Sequence, residues 1–269
     1  MMATTFAGSN VTDKLPGSAN CICRDVVSPM AISKSGRVLY AFAYFYLPFY
    51  GYRPDEIFWQ FDPFAWISSY VYEIDEEVER GVPLPQVFDR FANLSTYLSS
   101  RATLDCSIIR LFEDAHRYYT FEHDLIGKRG QYSPDDLLQI TAARSFDFRL
   151  LHRVLAQRSG EIYRESLFDW FRALEMLMEI EDDILSAAKD IARNTFNVVN
   201  LALQSAPEEG AAFVEQMRRT AESELRLREK QLSKVERDLC ARTLTLYRNV
   251  VARTPLLIPD SNLKARHSA

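Results

Sequence analysis

Asp182-Asp183-Ile184-Leu185-Ser186-Ala187-Ala188-Lys189-Asp190 places three hard oxygen donors, Asp182, Ser186 and Asp190, at i, i+4 and i+8. On a helix of 3.6 residues per turn such positions drift by only about 40° per step, so they form one row. Leu167, Trp170, Phe171, Leu174, Leu177 and Met178 precede the stretch as an apolar helical stripe, and Phe196, Val198, Val199, Leu201 and Leu203 follow it. Acids and bases mixed on a helix are ordinarily a solvated face with weak i,i+4 pairs. Charge set into the middle of a long, apolar-rich helix is a different pattern. A carboxylate–hydroxyl–carboxylate row is a chelating edge for Mg²⁺, which takes oxygen ligands and completes its shell with waters or phosphates. Lys189 and Arg193 sit beside the row and could face an anion held by that metal.

A second acidic cluster supplies a partner. Asp75, Glu76 and Glu79 follow an aromatic run of Phe61, Phe64, Trp66 and Tyr70, with Asp75 and Glu79 at i, i+4. Two acidic rows on two aromatic-rich helices can face each other across a cavity and hold several Mg²⁺ ions around a diphosphate. Helix geometry nominates the cavity wall. Phe64 projects within about 20° of Asp75 and Tyr72 within about 60°, whereas Trp66 falls on the opposite side. Phe171 and Met178 lie within about 40° of Asp182, roughly three turns and one turn deeper. Glu175 and Glu179 project onto the same side, which an apolar cavity does not explain.

The spacings Asp75-Glu76-x-x-Glu79 and Asp182-Asp183-x-x-Ser186-x-x-Lys189-Asp190 resemble the two metal motifs of the class I terpene synthases of the isoprenoid-synthase superfamily, DDxxD or DExxE and (N/D)DxxSxxx(E/D). Asn197-Val198-Val199 is similar to the Asn-x-Val that often follows the second motif. The resemblance implies a single-domain α-helical bundle around a central cavity, three Mg²⁺ ions, and a prenyl diphosphate substrate, farnesyl diphosphate first. Asp75, Glu76, Glu79, Asp182, Ser186 and Asp190 would hold metal. Lys189 and Arg193 would face the diphosphate, with Arg144 as the upstream diphosphate sensor and Arg153 as the alternative. The motifs are 107 residues apart, shorter than the family pattern. The C-terminal Arg-Tyr pair is absent as such; Arg266-His267 lies at a suitable distance, and Tyr247-Arg248 has the residues in reversed order. A trans-prenyltransferase of the same fold is a competing reading, carried by Arg80-Gly81 alone. A non-catalytic helical scaffold with surface acids is another.

Composition bounds the rest. The 269 residues suffice for one large domain, and 47% hydrophobic content can build a sizeable core. Nine Gly favours helix over turn-rich β architecture. Strand alternation is nearly absent, so the expected class is all-α. The net charge of −5 gives no reason to expect nucleic acid as a partner. Cys21, Cys23, Cys106 and Cys240 do not make a disulfide framework and fit a reducing, cytoplasmic setting. No stretch reaches about 18 apolar residues, so no transmembrane segment is expected. A homodimer is left open. His116 and His123 read as a polar helix surface, and no Ser-His-Asp or Cys-His arrangement can be argued.

Along the chain, residues 1–29 read as a flexible arm and 30–269 as one domain. Helices are expected at about 30–47, from Asp62-Pro63 to Gly81, from Pro85 to Ser100, over 103–126, from Ser133-Pro134 to Gln157, over 161–204, and over 208–253.

Overall fold

Ser28 starts the first helix by accepting the Ala31 N–H on its hydroxyl, and Pro29 follows where its missing N–H is harmless. That helix is α1 (Pro29–Phe45). In the computed structural model, which describes residues 27–57, 62–101, 103–127, 132–160, 164–193 and 195–251, two 3₁₀ turns follow at Leu47–Tyr50 and Pro54–Glu56. Then come α2 (Asp62–Glu79), α3 (Leu84–Ser100), α4 (Cys106–Gly127), α5 (Pro134–Arg144), α6 (Phe146–Arg158), α7 (Glu165–Arg193), α8 (Val198–Ser205), α9 (Gly210–Glu229) and α10 (Lys234–Val251). There is no strand among the described residues, and one hydrophobic core draws on every α-helix. The chain is all-α and single-domain, as its periodicity predicts.

Three expected helices are each two. The 133–157 segment divides at Ser145, where Arg149 turns its guanidinium back onto the carbonyls of Ser145 and Ala143, at 3.1 and 2.8 Å. The Ser145 carbonyl also accepts the Arg149 backbone N–H at 3.3 Å, so the next helix starts on it. The 161–204 segment stops at Arg193. Asn197 then caps α8, its side-chain oxygen accepting the N–H groups of Val199 and Asn200. The 208–253 segment divides before Ser233, which exchanges bonds with Glu236 as a capping box. Ser133 and Asp136 make the same reciprocal cap on α5.

α1 packs along α2, α9 lies along α7, and α6 touches both α2 and α7 and so spans the gap between them. Its inner face carries Phe146, Leu150 and Val154, all buried. No helix among the described residues is long and apolar enough to cross a membrane. Cys106 and Cys240 are free thiols; Cys21, Cys23 and nearly all of the 1–29 arm lie outside the described residues.

α8 and α9 meet at Gly210. A Cβ there would come within 3.0 Å of the Ala202 carbonyl group and the Leu203 nitrogen, which are backbone atoms that cannot swing aside. Gly210→Ala is therefore expected to destabilise the fold by about 1–3 kcal/mol, the usual cost of forcing extra volume into a packed site. Urea denaturation measures it, and an unchanged midpoint would contradict the close approach.

Candidate metal and anion site

A cavity of about 1260 Å³ opens between α2 and α7. Asp75, Glu76 and Glu79 line it from α2, and Asp182, Ser186, Lys189 and Asp190 line it from α7. The two acidic rows thus share one opening, as the sequence predicts. The walls also include Phe45, Tyr72, Tyr118, Phe148 and Phe196.

The α7 row is built by the turn that follows it. Asn197 donates its amide to Asp190 Oδ2 at 3.0 Å, to Ser186 Oγ at 3.3 Å and to the Asp183 carbonyl at 2.8 Å. Ser186 also donates to Asp190, so the hydroxyl and the carboxylate already converge. Asp183 points the other way, fully buried. It accepts the Val198 N–H at 2.7 Å and an Arg144 N–H at 2.6 Å. Burial pushes its pKa up to about 6 despite the pull of Arg144. The second Asp of the motif is therefore a strut, and the first lines the opening.

Arg144, the last residue of α5, lines the cavity and also pairs with Glu179 at 3.1 Å. Its guanidinium lies 5.1 Å from the Phe196 ring centroid. Burial works against its charge, but Asp183 and Glu179 hold its pKa well above the ordinary arginine value. Arg153, the alternative, stacks over Phe168 at 4.3 Å, away from the opening.

The α2 row is organised by a residue that the sequence reading passes over. Lys34 of α1 lies 2.6 Å from Glu76, 3.2 Å from Asp75 and 3.5 Å from Glu79. Its ammonium is a cation already seated among three oxygen donors. The only signal in the sequence is that Lys34 and Arg37 are the sole charges in an otherwise apolar and small-residue helix.

Two cavity assignments need correction. Phe64 and Phe171 are completely buried in the core. Phe64 packs against Phe42, and Phe171 stacks on Tyr46 at 3.9 Å between ring centroids. Both point in the predicted direction but lie eleven residues below their acids, about 16 Å along the helix. The Tyr46–Phe171 stack lies beneath the cavity at that depth. Tyr72 and Met178, about one turn below the acids, do line it.

The inner wall is more acidic than expected. Tyr46 donates to Glu175 at 2.7 Å, Tyr72 donates to Asp147 at 3.0 Å, and Ser145 donates to Glu179 at 2.7 Å. These bonds give Glu175 and Glu179 the partners that explain their inward placement. Burial raises Glu175 to about 8 and Asp147 to about 6. Glu122 of α4 also lines the cavity, from a different side of that helix than His116 and His123. Nearby, His116 stacks on Phe88 at 4.1 Å. Tyr247 of α10 reaches the cavity and donates to Glu181. Arg193 ends α7, with its side chain outside the described residues, as are Arg266 and His267 altogether.

Among the described residues no three His, Cys, Asp or Glu side chains form a ready-made metal cage. The donors form two open half-sites instead. Such half-sites suit a hard cation that brings waters or phosphate oxygens with it, and the position of Lys34 marks where positive charge is wanted.

Glu122 gives a test of this electrostatic description. Burial and the negative charge of Asp75 lift it from its ordinary 4.5 to about 8, against the pull of Arg144. Between those values the folded protein keeps a proton that the unfolded chain has released, so rising pH destabilises the native state through this group. Glu122→Gln removes the ionisation. The variant's stability relative to wild type is expected to grow from pH 4.5 to 8 and then level off, read by urea denaturation at stepped pH. A pH-independent difference would contradict it.

No protein-family model, curated protein or solved structure matches this chain, so the reading of the cavity rests on its own residues.

Proposed function

We propose that the protein is a Mg²⁺-dependent class I terpene synthase that ionises a prenyl diphosphate and cyclises the resulting cation. One observation carries this reading: acidic rows from two separate helices line the mouth of a single cavity whose walls are rich in aromatic rings. Asp75, Glu76 and Glu79 on one side, and Asp182, Ser186 and Asp190 on the other, would hold Mg²⁺. Bound there, Mg²⁺ supplies Lewis-acid and charge-neutralising chemistry at diphosphate oxygens.

The chain's own residues do the rest. Lys189, exposed at the rim of the α7 row, faces the leaving diphosphate as its C–O bond breaks and the electron pair departs with oxygen. A point charge there acts most strongly when that negative charge has developed. Arg144 is held rigid by Asp183 and Glu179 and presents a second fixed positive charge. The ring faces of Tyr72, Phe148 and Phe196 offer cation–π stabilisation of about 0.5–2 kcal/mol each to the carbocation. The cation closes onto a double bond of its own chain and ends by losing a proton. The prenyltransferase alternative is weakened because Arg80, its only motif residue, pairs with Glu73 and does not line the cavity.

The test is incubation with Mg²⁺ and geranyl, farnesyl or geranylgeranyl diphosphate, following released diphosphate and hydrocarbon products. Farnesyl diphosphate is expected to give cyclic product. Asp182→Ala, Ser186→Ala and Asp190→Ala should each lower turnover by about 10²–10³-fold, the scale of losing one transition-state charge contact, with circular dichroism unchanged. Lys189→Gln should lower turnover more than binding. If wild type neither binds diphosphate with Mg²⁺ nor releases it from any substrate, the helical-scaffold reading replaces this one.

A further inference from the structure

The acids of α2 are not matched alike. Glu73 accepts the Ser28 N–H at 2.7 Å and pairs with Arg80 at 3.1 Å. Arg90 grips both oxygens of Glu77 at 2.6 Å. Asp75, Glu76 and Glu79, the three on the cavity side, converge on the single ammonium of Lys34.

That placement is fixed by the fold. The Ser28–Glu73 bond ties the start of α1 to α2, and close packing of the two helices sets their register. Below Lys34 the same face of α1 continues as Val38, Ala41 and Phe45, all lining the cavity. The ammonium therefore sits where the charged mouth meets the apolar wall. Burial there opposes its charge, but the three carboxylates outweigh burial and keep it ionised.

An ammonium and a magnesium ion cannot share this position. Mg²⁺ requires oxygens at about 2.0–2.1 Å in octahedral array, and the inner lone pairs of the row are turned toward Lys34. Divalent metal can enter only if the ammonium leaves, and it leaves readily only when offered other anionic oxygens. A diphosphate held at the α7 row would offer them.

We propose that Lys34 is the resident cation of the α2 row, keeping that row closed to divalent metal until an anionic diphosphate arrives to receive its ammonium. This rests on the metal–diphosphate reading and adds an order of events to it. The α7 row would take Mg²⁺ together with the diphosphate first, Lys34 would transfer its hydrogen bonds to that anion, and the α2 row would then accept metal. Metal and anion binding become coupled, and by linkage each strengthens the other by the same factor.

The experiment is calorimetric titration of the full chain with Mg²⁺ alone, and with Mg²⁺ in the presence of inorganic diphosphate. Lys34→Gln is expected to bind Mg²⁺ alone at least tenfold more tightly than wild type. That gain should vanish in Lys34→Gln/Asp75→Asn, and diphosphate should enhance Mg²⁺ affinity less in Lys34→Gln than in wild type. Equal affinity for Mg²⁺ alone in wild type and Lys34→Gln overturns the proposal, as does absence of binding in both. Diphosphate release from a prenyl substrate judges the underlying function separately. A second measurement uses the wild-type fold: lysines are reductively methylated with ¹³C, and the Lys34 signal is assigned by its loss in Lys34→Arg. The signal should shift with Mg²⁺ plus diphosphate and hold still with Mg²⁺ alone; a shift with Mg²⁺ alone also overturns the proposal.

Discussion

Asp183 is the interaction on which the site depends. A carboxylate removed from water is costly unless charge and hydrogen bonds compensate it. Here the compensation comes from two different elements, the Arg144 guanidinium at the end of α5 and the Val198 N–H at the start of α8. One buried group therefore joins α5, α7 and α8. Taking away one partner would strand the other inside the protein, which is why such nodes resist piecemeal change. The same node orients Arg144 toward the cavity and brings Asn197 back against Ser186 and Asp190. The α7 row is thus preorganised by Asp183 and Asn197, which do not themselves line the cavity.

The cavity wall around this node gathers negative charge. Glu122, Asp147 and Glu175 all have pKa values pushed upward by burial, to about 8, 6 and 8. Lys34 and Arg144 are held above their ordinary values by the surrounding carboxylates. These shifts describe one condition from two sides: the interior carries more carboxylate than it can comfortably ionise, and Lys34 and Arg144 are strongly retained as cations. Phenolic donors moderate the inner wall, with Tyr46 bonded to Glu175 and Tyr72 to Asp147. A site in this condition favours entry of positive charge, whether a metal ion at its mouth or a carbocation within.

Much of this was legible in the sequence because helix periodicity encodes direction. The i, i+4, i+8 spacing puts Asp182, Ser186 and Asp190 on the cavity side, and Asp75 faces it from α2. Depth is not encoded. Phe64 and Phe171 have the right angle, but the residues that cover them, Phe42 of α1 and Tyr46 just after it, belong to a segment whose packing no local pattern specifies. Lys34 escaped for the same reason, since its partners lie 41 to 45 residues away. The helix breaks divide in kind. Ser233-x-x-Glu236 is a capping box that could have been read directly. The break at Ser145 depends on where the Arg149 side chain folds back, and that is visible only in three dimensions.

The placement of the rows along their helices sharpens the electrostatic picture. Asp75, Glu76 and Glu79 occupy the final turns of α2, which has no basic residue in its last turn. Unsatisfied carbonyls make a helix C-terminus partially negative, so acids there are disfavoured and cations favoured, by about 0.3–1 kcal/mol at an exposed end. α5, α6 and α9 each carry arginine in the last turn, whereas α1, α3, α4 and α8, like α2, carry no base there. α2 goes further and stacks four carboxylates, Asp75, Glu76, Glu77 and Glu79, on the negative end of its own dipole. The α7 row also lies in the C-terminal part of its helix, ending at Asp190, three residues before Arg193. It lies mostly more than one turn from its helix end, with Lys189 and Arg193 beside its last member, so the disfavoured placement belongs to α2. Such an arrangement is unfavourable to the isolated helix and becomes favourable only when cations are drawn to it. Lys34 meets part of that requirement within the chain, and the remaining negative charge at the opening is what a divalent ion would neutralise.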